Sequence, residues 1–286
     1  MQVYRGMDIG TAKPTRDERK GVPHHLINVV DPREPFSVDD WLELAELAIR
    51  DVRRRGAWPI LVGGTNLYVK VFLEGMFKGP PGDEALRGRL ALEDSGALHE
   101  RLKLVDPASA ARLHVNDRKR LTRALEVYEL TGKPISLWQT QWDSAASSAS
   151  PAFRRDVILL GLDWPAEEIN RRINSRVKKM VEMGLVDEVR TLWQNGQLGR
   201  QAREALGYKQ ILEFVEGRSG LEDAIEQTKI ESRRFARKQR TWLKRFRAYQ
   251  PGRWFDAAVA TPEDIVKYAL EYIAANTAAT RPVRSD

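Results

Sequence analysis

A run of basic residues near the C-terminal end of the sequence could bind a polyanion. Residues 229–247 contain nine Lys and Arg residues and one acid, Glu231. Unbalanced like charges at helical spacing destabilise an isolated helix, and a nucleic-acid backbone would relieve that repulsion. The alternative is a solvated face, but the near absence of acids favours nucleic-acid contact.

Five of the basic residues recur at alternating intervals of 4 and 3 and so share one helix face: Arg233, Arg237, Arg240, Lys244 and Arg247. We expect Phe235, Trp242 and Phe246, on the opposite face, to anchor the helix to a core.

Two glycine-containing segments could receive an anion. Gly63-Gly64-Thr65 follows an apolar run and precedes a predicted helix, a place where backbone N–H groups can face a phosphate. The segment 6–14 (GMDIGTAKP) combines two glycines with a carboxylate, a hydroxyl and a lysine. The first is equally consistent with a plain strand-to-helix turn. For the second, a loop held by its own Asp and Thr hydrogen bonds is the favoured interpretation.

A fourth cluster, residues 116–123 (NDRKRLTR), places basic residues at the start of a helix, where they oppose the helix dipole. Phosphate binding and surface ion pairs explain it equally well. No sequence of the Walker type, no G-x-S-x-G and no H-E-x-x-H occurs. These residues alone therefore indicate a basic α/β protein acting on RNA or a nucleotide.

The composition is typical of a folded protein and excludes several classes of site. The 286 residues are 42% hydrophobic and 30% charged, with a net charge of +7. Because Cys is absent, disulfides, thiolate zinc sites and cysteine nucleophiles are excluded. The adjacent His24 and His25 point in different directions in most backbones, so they do not predict a metal site. The absence of Cys also fits a cytoplasmic protein. No apolar run approaches the length of about 20 residues that spans a bilayer, so we expect no membrane partner.

Periodicity predicts the elements that would position these clusters. We expect a helix over 38–55 capped by Ser37, a buried strand over 59–62, a helix over 66–74, and short helices over 83–113. A helix over 117–131, a strand over 156–162 and helices from Pro165 to about Arg247 follow, with breaks at Gly184, Gly196 and Gly217. The segment 143–150 is predicted to be a loop and 276–286 a disordered tail. The order predicts a parallel α/β part followed by a helix-rich half.

Several of these segments together resemble the tRNA dimethylallyltransferases. The similarity covers roughly residues 1–250, in the family's order and spacing. The segments are 1–14 (MQVYRGMDIGTAKP), 62–68 (VGGTNLY), 116–127 (NDRKRLTRALEV), 205–209 (ALGYK) and 238–243 (KQRTWL).

The resemblance implies a P-loop NTPase-like α/β core, from residues 1–77 and 119–250, with a helical insertion over 78–118. It implies transfer of the dimethylallyl group from dimethylallyl diphosphate to N6 of the adenosine just 3′ of the tRNA anticodon, position 37, with Mg²⁺ as cofactor. The adenosine would be flipped out of the anticodon stem-loop. A monomeric protein is expected.

Residue roles follow from the same resemblance. Thr65 and Arg87 match positions near the substrates, where the Arg87 guanidinium could steady the departing diphosphate; Gly63 and Gly64 lie in the same vicinity. Four segments match tRNA contacts: Met1 and Gln2; Lys119, Arg120, Leu121, Thr122 and Arg123; Glu204, Ala205, Leu206, Gly207, Tyr208 and Lys209; and Arg237, Lys238, Gln239, Arg240, Thr241, Trp242, Leu243 and Lys244. The last contains the basic residues found above from spacing alone.

The sequence also departs from the family's pattern. The family's phosphate loop with its strands, and the Asp expected as general base, would precede Met1 and match no residue here. We therefore expect the 286-residue chain to be poorly soluble and inactive, and the DNA upstream to encode the phosphate loop and an Asp-Ser pair. The alternatives are a P-loop nucleotide kinase and a non-catalytic RNA-binding protein.

Overall fold

A computed structural model describes residues 1–76, 79–139, 154 and 156–280. The chain forms two compact units: Met1–Val69 with Arg155–Asp286, and Lys70–Arg154. The segment 78–118, predicted as a helical insertion, lies within the second unit, which continues beyond it. The predicted loop at 143–150 lies outside the described residues.

The first helix of the first unit forms where its sequence signals predict it. Helix α1 (Val38–Arg54) starts after Ser37, which accepts a hydrogen bond from the Asp40 N–H while the Asp40 carboxylate accepts from the Ser37 N–H, completing a capping box. Trp41 and Ala45 are buried. Helix α2 (Asn66–Glu74) is held against α1 by stacking of Tyr68 on Trp41, with ring centroids 4.8 Å apart. This contact positions the turn that precedes α2.

The remaining helices of the first unit form a run broken by glycines. Left-handed φ angles of 98° at Gly184, 62° at Gly196 and 74° at Gly217 confirm the predicted breaks, because only glycine adopts them at little cost. The run is α8 (Ala166–Glu182), α9 (Leu185–Gln194), α10 (Arg200–Arg203), α11 (Tyr208–Val215) and α12 (Leu221–Phe246). Helix α12 packs against α8 and α11.

The sheet of the first unit is small. Strands β1 (Leu159–Asp163) and β2 (Gly252–Asp256) pair in parallel, with Leu159 opposite Gly252, and Tyr4 forms an isolated parallel bridge with Val30. The strand predicted at 156–162 is confirmed over most of its length. A parallel sheet is thus present, and the larger P-loop NTPase-like core stays a prediction.

The prediction of a buried strand at 59–62 is wrong, because the structure has no strand there. Residues 57–65 have no regular secondary structure, and Ile60 and Val62 are 83% and 87% exposed. A strand requires a neighbour that pairs with its N–H and C=O groups, and no described segment pairs with this one. An apolar run in the sequence indicates a tendency to form a strand, but it does not show whether a partner strand is present.

The second unit contains short helices around a leucine-rich core. The predicted short helices over 83–113 are confirmed, and α4 packs on α6. Helix α6 begins after Asp117, whose carboxylate accepts from the Arg120 N–H, and ends at Gly132, where φ is 68°. The core contains Leu86, Leu98, Leu102, Leu121 and Leu125. The helices are α3 (Glu84–Leu90), α4 (Ser95–Val105), α5 (Pro107–Arg112), α6 (Arg118–Thr131) and α7 (Ile135–Trp138).

The last helix, α13 (Pro262–Thr280), includes 276–280 of the segment that we predicted to be disordered. Alanines at 274, 275, 278 and 279 explain the difference, because Ala has the highest helix propensity even where no apolar face is present. Residues 281–286 lie outside the described residues. No helix in the described part of the chain combines the length and apolar character needed to cross a membrane.

Candidate functional site

The glycine turn before α2 lies against the basic helix α12. The side-chain amide of Gln239 donates a 2.7 Å hydrogen bond to the carbonyl oxygen of Gly64, and the Asn66 amide donates a 3.3 Å bond to the backbone oxygen of Gln239. A Cβ atom on Gly64 would lie 2.9 Å from the Gln239 amide nitrogen, closer than side chains normally approach. A larger residue at position 64 would therefore force the Gln239 side chain to shift and would disturb this hydrogen bond.

Thr65 follows this turn and faces outward. Its backbone oxygen accepts from the N–H groups of Tyr68 and Val69, at 2.9 and 3.2 Å, and so starts α2. The side chain is exposed, and within the described residues its hydroxyl has no hydrogen-bond partner. A hydroxyl held on a fixed backbone and free of internal partners is available to a ligand.

The middle of the basic face on α12 is exposed and unpaired. Arg237, Arg240 and Lys244, together called the open stretch below, form no ion pair with any described acid, and neither does Lys238 beside them. The two ends of the face differ. Arg233 bonds to Asn174 at 2.6 Å and pairs with Glu226 at 3.4 Å, and Arg247 pairs with Asp163. The open stretch therefore offers three like charges to an external polyanion.

The predicted aromatic anchor of this helix is only partly correct. Phe246 is 1% exposed, but Trp242 is 39% and Phe235 is 46% exposed. Among the described residues, the other buried positions of α12 are Ala224 and Thr228 in its first turns. The helix is thus packed near its start and at Phe246, and the aromatic side chains between lack a covering element in the described chain.

The segment 6–14 is held by an internal carboxylate. Glu188, near the start of α9, accepts hydrogen bonds from the N–H groups of Asp8, Ile9 and Gly10, at 2.9, 2.7 and 3.1 Å, and from the Tyr208 hydroxyl. Lys13 is bound to Asp8 at 2.7 Å and to Asn28 at 2.5 Å. The Thr11 hydroxyl donates to the Met7 backbone oxygen at 2.6 Å, which supports the favoured interpretation of a loop held by its own hydrogen bonds. Glu188, from outside the loop, occupies the N–H groups that an anion would use.

Tyr208 itself is fully buried. Burial, reinforced by the charge of Glu188 and the hydrogen bond to it, raises the pKa of the Tyr208 phenol. Its side chain therefore has an internal role, and Ala205 is also buried. The tRNA contacts expected for these two residues stay predictions. Within the same segment Leu206 and Lys209 are exposed, with Lys209 paired to Glu204 at 2.7 Å.

The remaining predicted tRNA contacts of the first unit are accessible to different degrees. Met1 is 42% exposed, whereas the Gln2 amide donates two 3.0 Å bonds to the backbone oxygens of Thr11 and Ala12. On α12, Thr241 is exposed and donates to the Arg237 backbone oxygen, and Leu243 is half-buried.

The basic cluster of the second unit is mostly engaged within the protein. Arg118 donates to the backbone oxygens of Leu90 and Ala91, at 3.3 and 2.6 Å, and Arg120 pairs with Asp117 at 3.1 Å. Leu121 is a core residue with no exposed surface, and its assignment as a tRNA contact stays a prediction. Thr122 is half-buried. Lys119 is exposed and has no acidic partner in the described chain.

Arg87 and Arg123 share one buried carboxylate, Glu126. The Glu126 side chain is 0% exposed, and its oxygens lie 2.7 Å from Arg87 Nε, 3.0 Å from Arg87 Nη2 and 2.6 Å from Arg123 Nη1. The Asp83 N–H donates to it at 2.8 Å. Burial alone would raise the pKa of Glu126, but these hydrogen bonds outweigh burial and lower it. Glu126 is thus an ionised residue beside two predicted site arginines, and sequence analysis did not identify it.

The described residues include no cluster of side chains that could hold a metal ion by themselves. Within the ranges that the structure describes, no three His, Asp or Glu side chains are placed to hold one ion. Mg²⁺ in nucleotide and diphosphate sites retains waters and substrate oxygens and needs few protein ligands. Mg²⁺ therefore stays a prediction.

Comparison with known proteins identifies the family. A family model described as IPP transferase matches residues 2–246. A tRNA dimethylallyltransferase of Geobacillus thermodenitrificans is 45% identical over 282 residues, covering 96% of this chain and 86% of the relative. A tRNA dimethylallyltransferase of Syntrophobacter fumaroxidans is 46% identical over 266 residues, covering 90% and 74%.

Solved structures agree with this assignment. The full-length tRNA isopentenylpyrophosphate transferase of Bacillus halodurans is 37% identical with a TM-score of 0.66, covering 97% of this chain and 87% of that one. A eukaryotic dimethylallyltransferase acting on tRNA is 26% identical with a TM-score of 0.79, covering 100% and 73%. By sequence and by structure, this chain belongs to the IPP transferase family.

Proposed function

We propose that this protein acts in tRNA isopentenylation, with dimethylallyl diphosphate as donor and N6 of adenosine 37, just 3′ of the anticodon, as acceptor. The relatives named tRNA dimethylallyltransferase support the enzyme class. The observation that carries the proposal is the contact of Gln239 with Gly64, which joins a helix bearing unpaired cations to the turn before an exposed Thr65.

In this proposal the open stretch binds the RNA backbone. Arg237, Arg240 and Lys244 lie on one helix face, and neutralising phosphates there would release counterions from the RNA. A base that is modified at N6 must leave its stack, so an RNA backbone held by the cations of one helix face suits this substrate.

The chemistry requires a nucleophile, a leaving group and a proton acceptor. N6 forms a bond to C1 of the dimethylallyl group, the bond from C1 to the diphosphate oxygen breaks, and the diphosphate departs with the electron pair. N6 then loses a proton, a step that needs a general base. We assign the leaving diphosphate to the vicinity of Gly63, Gly64 and Thr65. The proton acceptor is assigned to no described residue.

The remaining features of the proposal follow the family. We infer a monomer that works in the cytoplasm with Mg²⁺ and the tRNA anticodon stem-loop. The sequence-based expectation that the 286-residue chain forms no product stays a prediction.

The test combines binding with product formation. The protein is titrated with an anticodon stem-loop RNA containing adenosine 37, with an unrelated hairpin of equal length, and with dimethylallyl diphosphate. We expect tighter binding of the stem-loop than of the hairpin, and saturable binding of the donor. Equal affinity for both RNAs together with no donor binding would contradict the proposal.

Incubating all components and measuring the RNA mass detects isopentenyladenosine. Product would support the transferase assignment and overturn the expectation of inactivity. Specific RNA binding without donor binding or product would favour a non-catalytic RNA-binding protein. A parallel reaction with ATP measures phosphoryl transfer, and activity there would favour the kinase alternative.

A further inference from the structure

Glu126 holds one edge of the Arg87 guanidinium and leaves another edge free. Its Nε and Nη2 atoms lie against the two carboxylate oxygens of Glu126, so this edge is fully used. The third nitrogen, Nη1, has no partner in the described chain, and 48% of the side chain is exposed. A guanidinium presents its donors in a rigid fork, so fixing one edge also fixes the direction of the others.

Gly82 provides the space for this arrangement. A Cβ atom built on Gly82 would lie 2.7 Å from Arg87 Cζ and 2.9 Å from Nη1. Real side chains do not approach this closely, so any residue other than glycine would displace the guanidinium. The backbone N–H of the next residue, Asp83, donates to Glu126 at 2.8 Å, which ties this segment to the same carboxylate.

Arg123 is the second arginine that binds Glu126. Its Nη1 binds Glu126 at 2.6 Å, and its Nη2 binds the backbone oxygen of Pro80 at 2.8 Å. Two guanidiniums on one carboxylate leave an excess of one positive charge. Glu126 has no exposed surface and cannot turn toward solvent, whereas Arg87 is half exposed. Arg123 is 31% exposed and its Nη2 is already bound to Pro80, so the excess charge is presented to solvent mainly through Arg87.

We propose that Glu126 and Gly82 are positioning residues that hold the free edge of Arg87 toward a phosphate group. This inference deepens the proposed function and rests on it for the source of the phosphate, which is either the diphosphate of the donor or a backbone phosphate of the RNA. A fixed, outward N–H edge suits a phosphate oxygen, because charge-assisted hydrogen bonds from Arg are strong and directional. Without Glu126 or Gly82 the guanidinium would keep its charge and lose its orientation.

The test uses inorganic diphosphate and the anticodon stem-loop RNA as separate probes of binding. Glu126→Gln keeps the shape of the side chain and removes its charge, and Gly82→Ala displaces the guanidinium without changing any charge. We expect Arg87→Ala to weaken the binding of one probe by about 10- to 100-fold, as expected for a charge-assisted bond. Both positioning variants should weaken the same probe by a smaller factor. The affected probe identifies the source of the phosphate.

Chemical rescue separates positioning from a general effect on the fold. Added guanidinium should restore binding to Arg87→Ala but not to the Arg87→Ala, Glu126→Gln double variant, since the carboxylate that holds the cation is then absent. In nitrogen-15 NMR spectra, the Arg87 Nε–H signal should shift in Glu126→Gln and in Gly82→Ala. This measurement needs no ligand, and circular dichroism identifies any variant that fails to fold.

The inference is overturned if folded Glu126→Gln and Gly82→Ala bind both probes as the wild type does. It is also overturned if Arg87→Ala changes neither affinity, or if guanidinium rescues the double variant equally well. Diphosphate binding that depends on Glu126, in a protein that shows no preference for the stem-loop and binds no dimethylallyl diphosphate, would support this inference while contradicting the proposed function.

Discussion

The side-chain amide of Gln239 donates a hydrogen bond to the backbone oxygen of Gly64, 175 positions away in the sequence. The bond joins the glycine turn before α2 to the helix that carries the open stretch. Asn66 returns a second bond to the Gln239 backbone, so the contact is two-sided. RNA bound along α12 would thus lie on a helix that contacts the turn preceding Thr65.

Replacing Gln239 should therefore loosen this contact. We expect Gln239→Met to lower the free energy of unfolding by about 1 kcal/mol, the usual contribution of a hydrogen bond of this kind. Gly64→Ala should also destabilise, and the double variant should lose less than the sum, because both changes disrupt one contact. Denaturant unfolding measures these values. Gln227→Met, at an exposed position of the same helix, is the matched control and should change stability little.

Glu188 should be a major stabilising residue of the first unit. It accepts three backbone N–H groups and the Tyr208 hydroxyl, all of which lose their partner in Glu188→Ala. We expect that variant to lose about 1–3 kcal/mol, the usual cost of one unsatisfied buried donor, because only Tyr208 is buried and water can reach the backbone N–H groups. Glu182→Ala, which removes an exposed carboxylate 3.8 Å from Lys178, is the control and should stay within about 0.5 kcal/mol. Equal losses in the two variants would contradict the role of Glu188.

Stability at low pH should depend on Asp106. This residue is 1% exposed and accepts from the Ser109 N–H at 3.0 Å, the Ser109 hydroxyl at 2.8 Å and the Ser136 N–H at 3.0 Å. Burial alone would raise the pKa of Asp106, but the hydrogen bonds outweigh it and hold the pKa below its usual value of 3.8. A lowered folded-state pKa stabilises the protein above the unfolded value, and the contribution is lost as the pH falls.

Unfolding measured between neutral and acidic pH tests this expectation. Below the unfolded pKa near 3.8, the wild type should lose stability with a contribution from Asp106 of at most about 1.4 kcal/mol per pH unit. Asp106→Asn should be less stable at neutral pH and show a shallower acid limb. Glu43→Gln, at an exposed position of α1, serves as control. An acid limb identical in wild type and Asp106→Asn would disprove the assignment.

The exposed apolar segment 58–62 should bind hydrophobic dyes. Trp58, Ile60, Leu61 and Val62 are 59%, 83%, 44% and 87% exposed, and a contiguous apolar surface of this kind promotes association. We expect the double variant Ile60→Lys, Val62→Lys to bind less dye and to remain in solution at higher concentration. The matched control is Leu92→Lys, Leu104→Lys, at two exposed apolar positions that are not adjacent in sequence, and it should change dye binding much less. Equal changes in dye binding by the two double variants would contradict a particular role of the segment 58–62.

Local signals predicted the helices well, because capping and periodicity act within a few residues. Ser37 with Asp40, and the glycines that end helices, are examples. The spacing of Arg237, Arg240 and Lys244 likewise placed these cations on one face, although Arg233 and Arg247 proved to be paired.

Long-range contacts left no such signal. Glu188 binds a segment about 180 residues away, and the environment of Glu126 depends on folding of the second unit. Nothing near either residue in the sequence distinguishes it from a surface acid. The apolar run at 59–62 is the opposite case, where a strong local tendency gave a strand that lacks a partner among the described residues.

The most direct test of the account is the salt dependence of RNA binding by the open stretch. Affinity for the anticodon stem-loop is measured at several salt concentrations for the wild type and for Arg237→Ala, Arg240→Ala, Lys244→Ala combined. The control combines Arg54→Ala, Arg171→Ala and Arg190→Ala, exposed cations that are each paired with an acid. We expect weaker binding by the first variant and a salt slope smaller by about 2 to 3, with the control near wild type. Unchanged affinity and slope in the first variant would contradict RNA binding by the open stretch.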